Sequence, residues 1–147
     1  MHDGGCECGQ LRYRLTSAPI FVNGCHCRQC QKLSGSAFAI NAMIEADRVE
    51  VVAGEAQAGD DGSVRCPDCR TLLWGLHPMF GQAIRFVRVG TLDEGEKLPP
   101  DAHFFVHSKH PWISIPQGAR SFETLPGPDD PPLYTAVSQA RLKAAMG

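Results

Sequence analysis

Seven cysteines fall in three tight groups. Cys6 and Cys8 form a C-x-C, Cys25, Cys27 and Cys30 a C-x-C-x-x-C, and Cys66 and Cys69 a C-x-x-C. Such spacing suits metal ligation. Four thiolates close a tetrahedral zinc site, whereas three leave a position for water or substrate. Joining Cys6/Cys8 with Cys66/Cys69 makes one closed site and leaves the triplet one ligand short. Joining Cys66/Cys69 to the triplet instead would give excess ligands and an orphan C-x-C. The first pairing predicts two zinc ions per chain. One is structural, at Cys6, Cys8, Cys66 and Cys69, and one is chemically available, at Cys25, Cys27 and Cys30. This points to an enzyme rather than a plain zinc module.

Other uses of cysteine fit less well. Seven is odd, no export signal implies an oxidising compartment, and a disulfide within C-x-C closes a strained ring. Four-thiolate coordination favours zinc, with iron–sulfur the runner-up. Pairing the two distant groups closes a loop of about 60 residues, which restricts the unfolded chain. The triplet is local and can wrap an ion with little chain ordering.

Three thiolates on zinc leave one net negative charge, and sulfur donates charge generously. Such a site is a weak Lewis acid, ill-suited to activating water but suited to holding one more sulfur. The natural substrates are a small thiol and an electrophile such as a carbonyl. His26, between two ligands in an extended C-H-C, is expected either to face solvent or a sheet edge, or to support the site. His77, His103, His107 and His110 are further candidates for a fourth ligand or proton relay, each more readily read as structural.

These groups must be carried by short strands. Leu11, Tyr13 and Leu15 alternate with Gln10, Arg12 and Arg14, a half-buried strand after the C-x-C-G knuckle. Ile20–Val22 leads into the triplet, and Arg28–Leu33 is one helical turn carrying Cys30. Strands are predicted at Ser36–Ile44, Val49–Val52, Thr71–Leu76, Ile84–Val89 and His103–His107, with a short extended piece at Trp112–Ile115. Asp60-Asp61-Gly62 is a turn before Val64-Arg65. Pro126–Pro132 is a stiff loop. Thr135–Met146 is the best helix, packing on the sheet or extending a dimer interface. The fold class is mainly β: zinc-pinned antiparallel sheets in one domain over residues 1–147.

The 147 residues include 15 glycines and 11 prolines, in keeping with many turns. The formal charge of −2 offers no basic footprint for nucleic acid, and filling both sites would move it to about −5. No apolar run is long enough for a membrane span. The polar start, Met1–Gln10, does not read as a secretory signal. With the thiol chemistry, that suggests a cytoplasmic protein.

The blocks Cys6-Glu7-Cys8-Gly9, Cys25-His26-Cys27-Arg28-Gln29-Cys30 and Gly35-Ser36-Ala37-Phe38 are followed in order by Cys66-Pro67-Asp68-Cys69. Then come Arg88-Val89-Gly90-Thr91-Leu92-Asp93 and His103-Phe104-Phe105-Val106, with Ser108-Lys109 and Pro111-Trp112 beyond. Together they resemble the glutathione-dependent formaldehyde-activating enzyme family, which also includes centromere protein V. The resemblance covers residues 5–123 and leaves 124–147 as Pro-rich loop and helix. It implies a β-tent-like fold and the same metal partition, with Cys25, Cys27 and Cys30 catalytic. It also implies glutathione or another small thiol as co-substrate and formaldehyde as aldehyde. The product is S-hydroxymethylglutathione, so the reaction is a carbon–sulfur lyase reaction in reverse. Arg70 stands where the family usually has a glycine, at a turn favouring positive φ.

Three functional classes follow. An enzyme of that type needs an open triplet. A non-catalytic zinc-stabilised binding module needs a fourth protein ligand there. A redox protein like the B-type methionine sulfoxide reductases needs a cysteine outside both sites. Ser108-Lys109 with Pro111-Trp112 is read either as a substrate cleft with Lys109 attracting a carboxylate, or as core (Trp112) and solvated charge (Lys109). Phe38 and Phe105 are expected in the core, and Gly90–Asp93 in a turn. Oligomeric state is not legible.

Overall fold

The computed structural model describes residues 1–147. Three strands, β1 (His2–Gly5), β2 (Arg12–Leu15) and β5 (Val49–Ala53), form a small antiparallel sheet in the order β1-β2-β5. The large sheet holds β3 (Phe21–Cys25), β4 (Ala39–Glu45), β6 (Gln57–Ala58), β7 (Val64–Arg65), β8 (Leu72–His77), β9 (Gly81–Arg88), β10 (Ala102–Phe104) and β11 (Arg120–Ser121). Its order is β11-β10-β3-β4-β9-β8-β7-β6. Pairing is antiparallel from β3 to β6, but β10 runs parallel to both β3 and β11. Helices α1 (Arg28–Ser34) and α2 (Ala136–Met146) complete the fold. No helix is long and apolar enough to cross a membrane.

Strand alternation sends side chains to opposite sheet faces, and the large sheet buries both. On one face Val22, Ala42, Ile44 and Val87 pack against Leu11, Tyr13 and Leu15 of the small-sheet segment, with Leu73 and Trp74. Tyr13 meets Trp74 edge-on at 5.4 Å. On the other face Phe21, Met43, Ile84, Ala102 and Phe104 are covered by Phe122, Leu133, Tyr134 and the α2 residues Leu142 and Ala145. Each large side chain buried this way contributes about 1.5–3 kcal/mol. The C-terminal helix thus packs on the sheet. Thr135 caps it, its Oγ1 accepting from Ser138 N–H at 3.1 Å. Arg141 forks onto both carboxylate oxygens of buried Glu45 at 2.8 and 2.6 Å.

The chain departs from its sequence pattern around β10. The expected strand His103–His107 stops at Phe104, because Phe105 adopts φ 56° and Val106–Ser108 coil into a 3-10 turn. Phe105 and Val106 then donate to the carbonyls of Thr124 and Phe122. Trp112–Ile115 forms no strand, since Ile113 N–H turns back to His110. The strand expected from Ser36 starts at Ala39, after Gly35 closes α1 in the left-handed region. Gly90-Thr91 lies in a 3-10 turn, as expected, where Thr91 Oγ1 sits 2.6 Å from the Tyr13 hydroxyl.

Candidate metal centres

Cys6 and Cys8 sit on the knuckle between β1 and β2, Cys66 and Cys69 on the knuckle between β7 and β8. The four sulfurs gather within 4.8 Å of one another. Cys6 to Cys8 is 3.6 Å and Cys8 to Cys66 is 3.7 Å. Zinc–sulfur bonds of 2.3 Å in a tetrahedron place sulfurs about 3.8 Å apart, whereas a disulfide would hold them at about 2.05 Å. The spacing fits a four-thiolate ion. Donors surround the sulfurs as thiolates require: Leu11 N–H on Cys6 at 3.3 Å, Gln10 Nε2 and Cys69 N–H on Cys66 at 3.3 and 3.5 Å. Thr71 Oγ1 lies 3.1 Å from Cys69, and that contact leads the influences that pull the Cys69 thiol down to about 5.

Both knuckles close alike. Gly9 at φ 85° returns its N–H to Cys6, and Arg70 at φ 67° returns its N–H to Cys66 at 3.0 Å. The positive φ anticipated at residue 70 is kept although the residue is arginine. An L-residue there costs roughly 1–2 kcal/mol. Arg70 offsets part of it through its guanidinium, which donates to Gln57 at 2.7 Å.

The second centre is built where β3 meets α1. Cys25 ends β3, Cys27 caps α1 and Cys30 lies inside it. Cys27 Sγ accepts from Cys30 N–H at 3.4 Å, and Cys25 and Cys27 sulfurs are 3.4 Å apart. The three sulfurs meet the same 4.8 Å limit, and no fourth cysteine, histidine or carboxylate joins them. The sulfur set suits a zinc ion with one ligand position left to something other than the protein. Within the triplet, the hydrogen bond from Cys30 comes first in lowering the Cys25 thiol to about 6, while the same bond and then burial push Cys30 up. All seven cysteines are free thiols, and all belong to one cluster or the other. With both clusters filled, no cysteine is left for the redox reading, which needs one outside them.

Behind the triplet is a buried backing. His26 is fully buried, which corrects the solvent-facing or sheet-edge reading. Its ring stacks on Phe38 at 4.4 Å, and its Nε2 meets His103 Nδ1 at 3.0 Å. Burial, then the neighbouring His103 and Lys109, hold His26 down to about 4, so it is neutral at pH 7. His103 reaches it by lying over Gly24, where any Cβ would approach His103 Nδ1 to 2.9 Å. Gln31 donates to the carbonyls of His26 at 2.7 Å and Ser108 at 3.0 Å, fastening α1 to the loop after β10.

The remaining candidates lie elsewhere. His77 caps its own turn through Met79 N–H, His107 pairs with the Glu123 carbonyl, and His110 stacks on Trp112 at 4.8 Å. Trp112 is 70% exposed rather than core. The Lys109 ammonium is held by the carbonyls of Ile113 at 2.7 Å and His110 at 3.2 Å rather than standing free in solvent. Phe38 and Phe105 are only partly buried. Spacing rules do not single out Gln31, Asn23 or Asn41. Asn41, a polar residue inside the apolar run Ser36–Ile44, is the trace such a site leaves.

The chain is similar to known proteins in three respects. A Halomonas elongata protein named "Putative glutathione-dependent formaldehyde-activating enzyme" is 29% identical over 126 residues, spanning 77% of this chain and 80% of that protein. A crystal structure of a Rhodobacter sphaeroides protein aligns with a TM-score of 0.47 at 19% identity, over 63% of this chain and 88% of the other. The family model described as "Glutathione-dependent formaldehyde-activating enzyme" matches residues 1–108. With both cysteine clusters assembled inside that span, the chain belongs to the glutathione-dependent formaldehyde-activating enzyme family.

Proposed function

We propose that the chain is a zinc-dependent enzyme of the carbon–sulfur lyase type, working in the joining direction. A small thiol of the glutathione kind adds to a small aldehyde such as formaldehyde. Cys25, Cys27 and Cys30 hold the catalytic zinc, and Cys6, Cys8, Cys66 and Cys69 the structural one. The observation that carries this reading is the inequality of the clusters, four sulfurs in one and three in the other with no further protein ligand. A non-catalytic module would need a fourth ligand at the triplet.

In the reaction the thiol sulfur bonds to the carbonyl carbon. The C=O π pair moves to oxygen, and the proton lost by the thiol ends there, giving an S-hydroxymethyl adduct. A zinc ion at the triplet supplies a position where a thiol is kept as thiolate near neutral pH. The chain's own part is positioning. Cys27 caps α1 while serving as a ligand, so the ligand-bearing turn cannot shift without loosening the helix. Gln31 and the neutral His26–His103 pair hold that turn from behind. Thiol chemistry needs a reducing compartment, and we assign the cytoplasm on that ground.

The test is exchange NMR on an equilibrium mixture of glutathione and formaldehyde, with zinc-loaded protein and with Cys27→Ser. Serine keeps the helix cap. The adduct also forms unaided, so only faster exchange counts. We expect the wild type to accelerate exchange and the variant to lose that gain by on the order of 100-fold, about 2.7 kcal/mol. Acceleration by neither protein would remove the formaldehyde reaction. Equal acceleration by both would remove the triplet from the chemistry.

A further inference from the structure

Arg88 ends β9, is half-buried and pairs with no carboxylate. Its guanidinium donates to Asn41 Oδ1, and Asn41 donates onward to Asn23 Oδ1 at 3.2 Å. Both asparagines are buried. Strand register sets Asn23 opposite Asn41 and Asn41 opposite Arg88, so the three form one polar row across β3, β4 and β9. Cys25 lies two residues beyond Asn23 and therefore on the same face. In the other direction that face turns apolar at Phe21, Met43 and Phe86 and is covered by the C-terminal segment. The row thus divides a greasy half of the sheet from the triplet.

Moving a guanidinium out of water without a counter-charge is costly. Two neutral amides orient Arg88 but do not balance it. Burial weakens its hold on the proton, nearby Arg65 adds to that, and the opposing influences are the sulfurs of Cys30 and Cys25. The triplet sulfurs are thus the groups that favour its charged form. Three thiolates and a divalent ion carry one net negative charge, and a thiolate in the fourth position makes it two. Arg88 brings the total back to one.

We propose that Arg88 is the counter-charge of the cysteine triplet and sets it to accept an anionic sulfur ligand over a neutral ligand. It is a positioning residue, and the inference rests on the open fourth position argued under Proposed function. The experiment titrates 2-mercaptoethanol, and imidazole as the neutral control, into full-length cobalt(II)-substituted protein at fixed pH. The sulfur-to-cobalt and d–d absorption bands report binding. Arg88→Gln should weaken thiol binding by at least about tenfold, as expected for a lost counter-charge in a partly buried setting, and imidazole by less than about twofold. Arg88→Lys, which keeps the charge but not the fork to Asn41, should retain thiol affinity within about threefold, and it carries the test if Arg88→Gln does not fold. Unchanged thiol affinity in Arg88→Gln overturns the inference and leaves the open site standing, as does equal weakening of both ligands. A wild type that binds no thiol overturns the open position and the inference together.

Discussion

The two cysteine clusters use the same atom for opposite ends. The four-sulfur cluster joins knuckles from different sheets, with Cys6 and Cys66 buried and N–H donors on the sulfurs. Its ligands come from positions some 60 residues apart, so an ion there crosslinks the fold. The triplet comes from six consecutive residues and crosslinks nothing. Its support is provided instead by Gln31, His26 and His103. An ion in the four-sulfur cluster would tie distant segments together, whereas the triplet is positioned by its surroundings.

The sharpest way to break this comparison is Cys66→Ser against Cys27→Ser. Structural zinc sites carry on the order of 10 kcal/mol of folding free energy, so Cys66→Ser should unfold the chain or lower its melting temperature by well over 10 °C. Cys27→Ser should lower it by no more than a few degrees while losing bound zinc and exchange activity. Circular dichroism melts and metal analysis decide. Similar melting for both would make the triplet structural too.

A smaller effect separates fold from chemistry at the far end of the sheet. Burial pushes the Glu45 carboxyl up, but the Arg141 fork and Arg48 outweigh it and leave it below its usual value of 4.5. A lowered folded value stabilises above the unfolded pKa, and that gain is lost as pH falls through the folded one. Arg141→Gln should therefore cost about 2 kcal/mol at pH 7. The gap to wild type should close as pH drops below the carboxylate range, and thiol–aldehyde exchange should be untouched. Denaturant melts at pH 7 and at about pH 3 check it.

The smallest expected change lies within the closed cluster. Arg70→Gly removes the left-handed penalty but also the bond to Gln57 and adds freedom to the unfolded chain. The net should be a gain of at most about 1 kcal/mol, read as a slightly higher melting temperature with unaltered zinc content. A loss would mean that the guanidinium contact outweighs the strain.

Ligand count and spacing foretold both clusters, because thiolate coordination is a local demand written in adjacent residues. Alternation likewise placed β2, and short apolar runs placed β4, β8 and β9, which the large sheet buries on both faces. It did not reveal β1, whose His-Asp-Gly-Gly has no apolar period, or the two-residue strands β6 and β11. Nor did it show that β10 lies parallel between β3 and β11, since partner choice depends on residues far along the chain. The backing of the triplet was illegible for the same reason. His26 looks exposed in a C-H-C run until His103 and Phe38 are brought against it, and Trp112 looks like core until its loop turns outward.

That distance along the chain has a kinetic side. During synthesis or refolding, Cys25–Cys30 can gather an ion as soon as those few residues exist. His103 and Ser108, which steady them, lie 77 residues from their partners in sequence. Non-local and parallel pairings form slowly because loop closure precedes their reward. The triplet is thus complete as a ligand set well before it is complete as a site. In the interval its three sulfurs are local soft ligands without the contacts to His103 and Ser108 that later steady them.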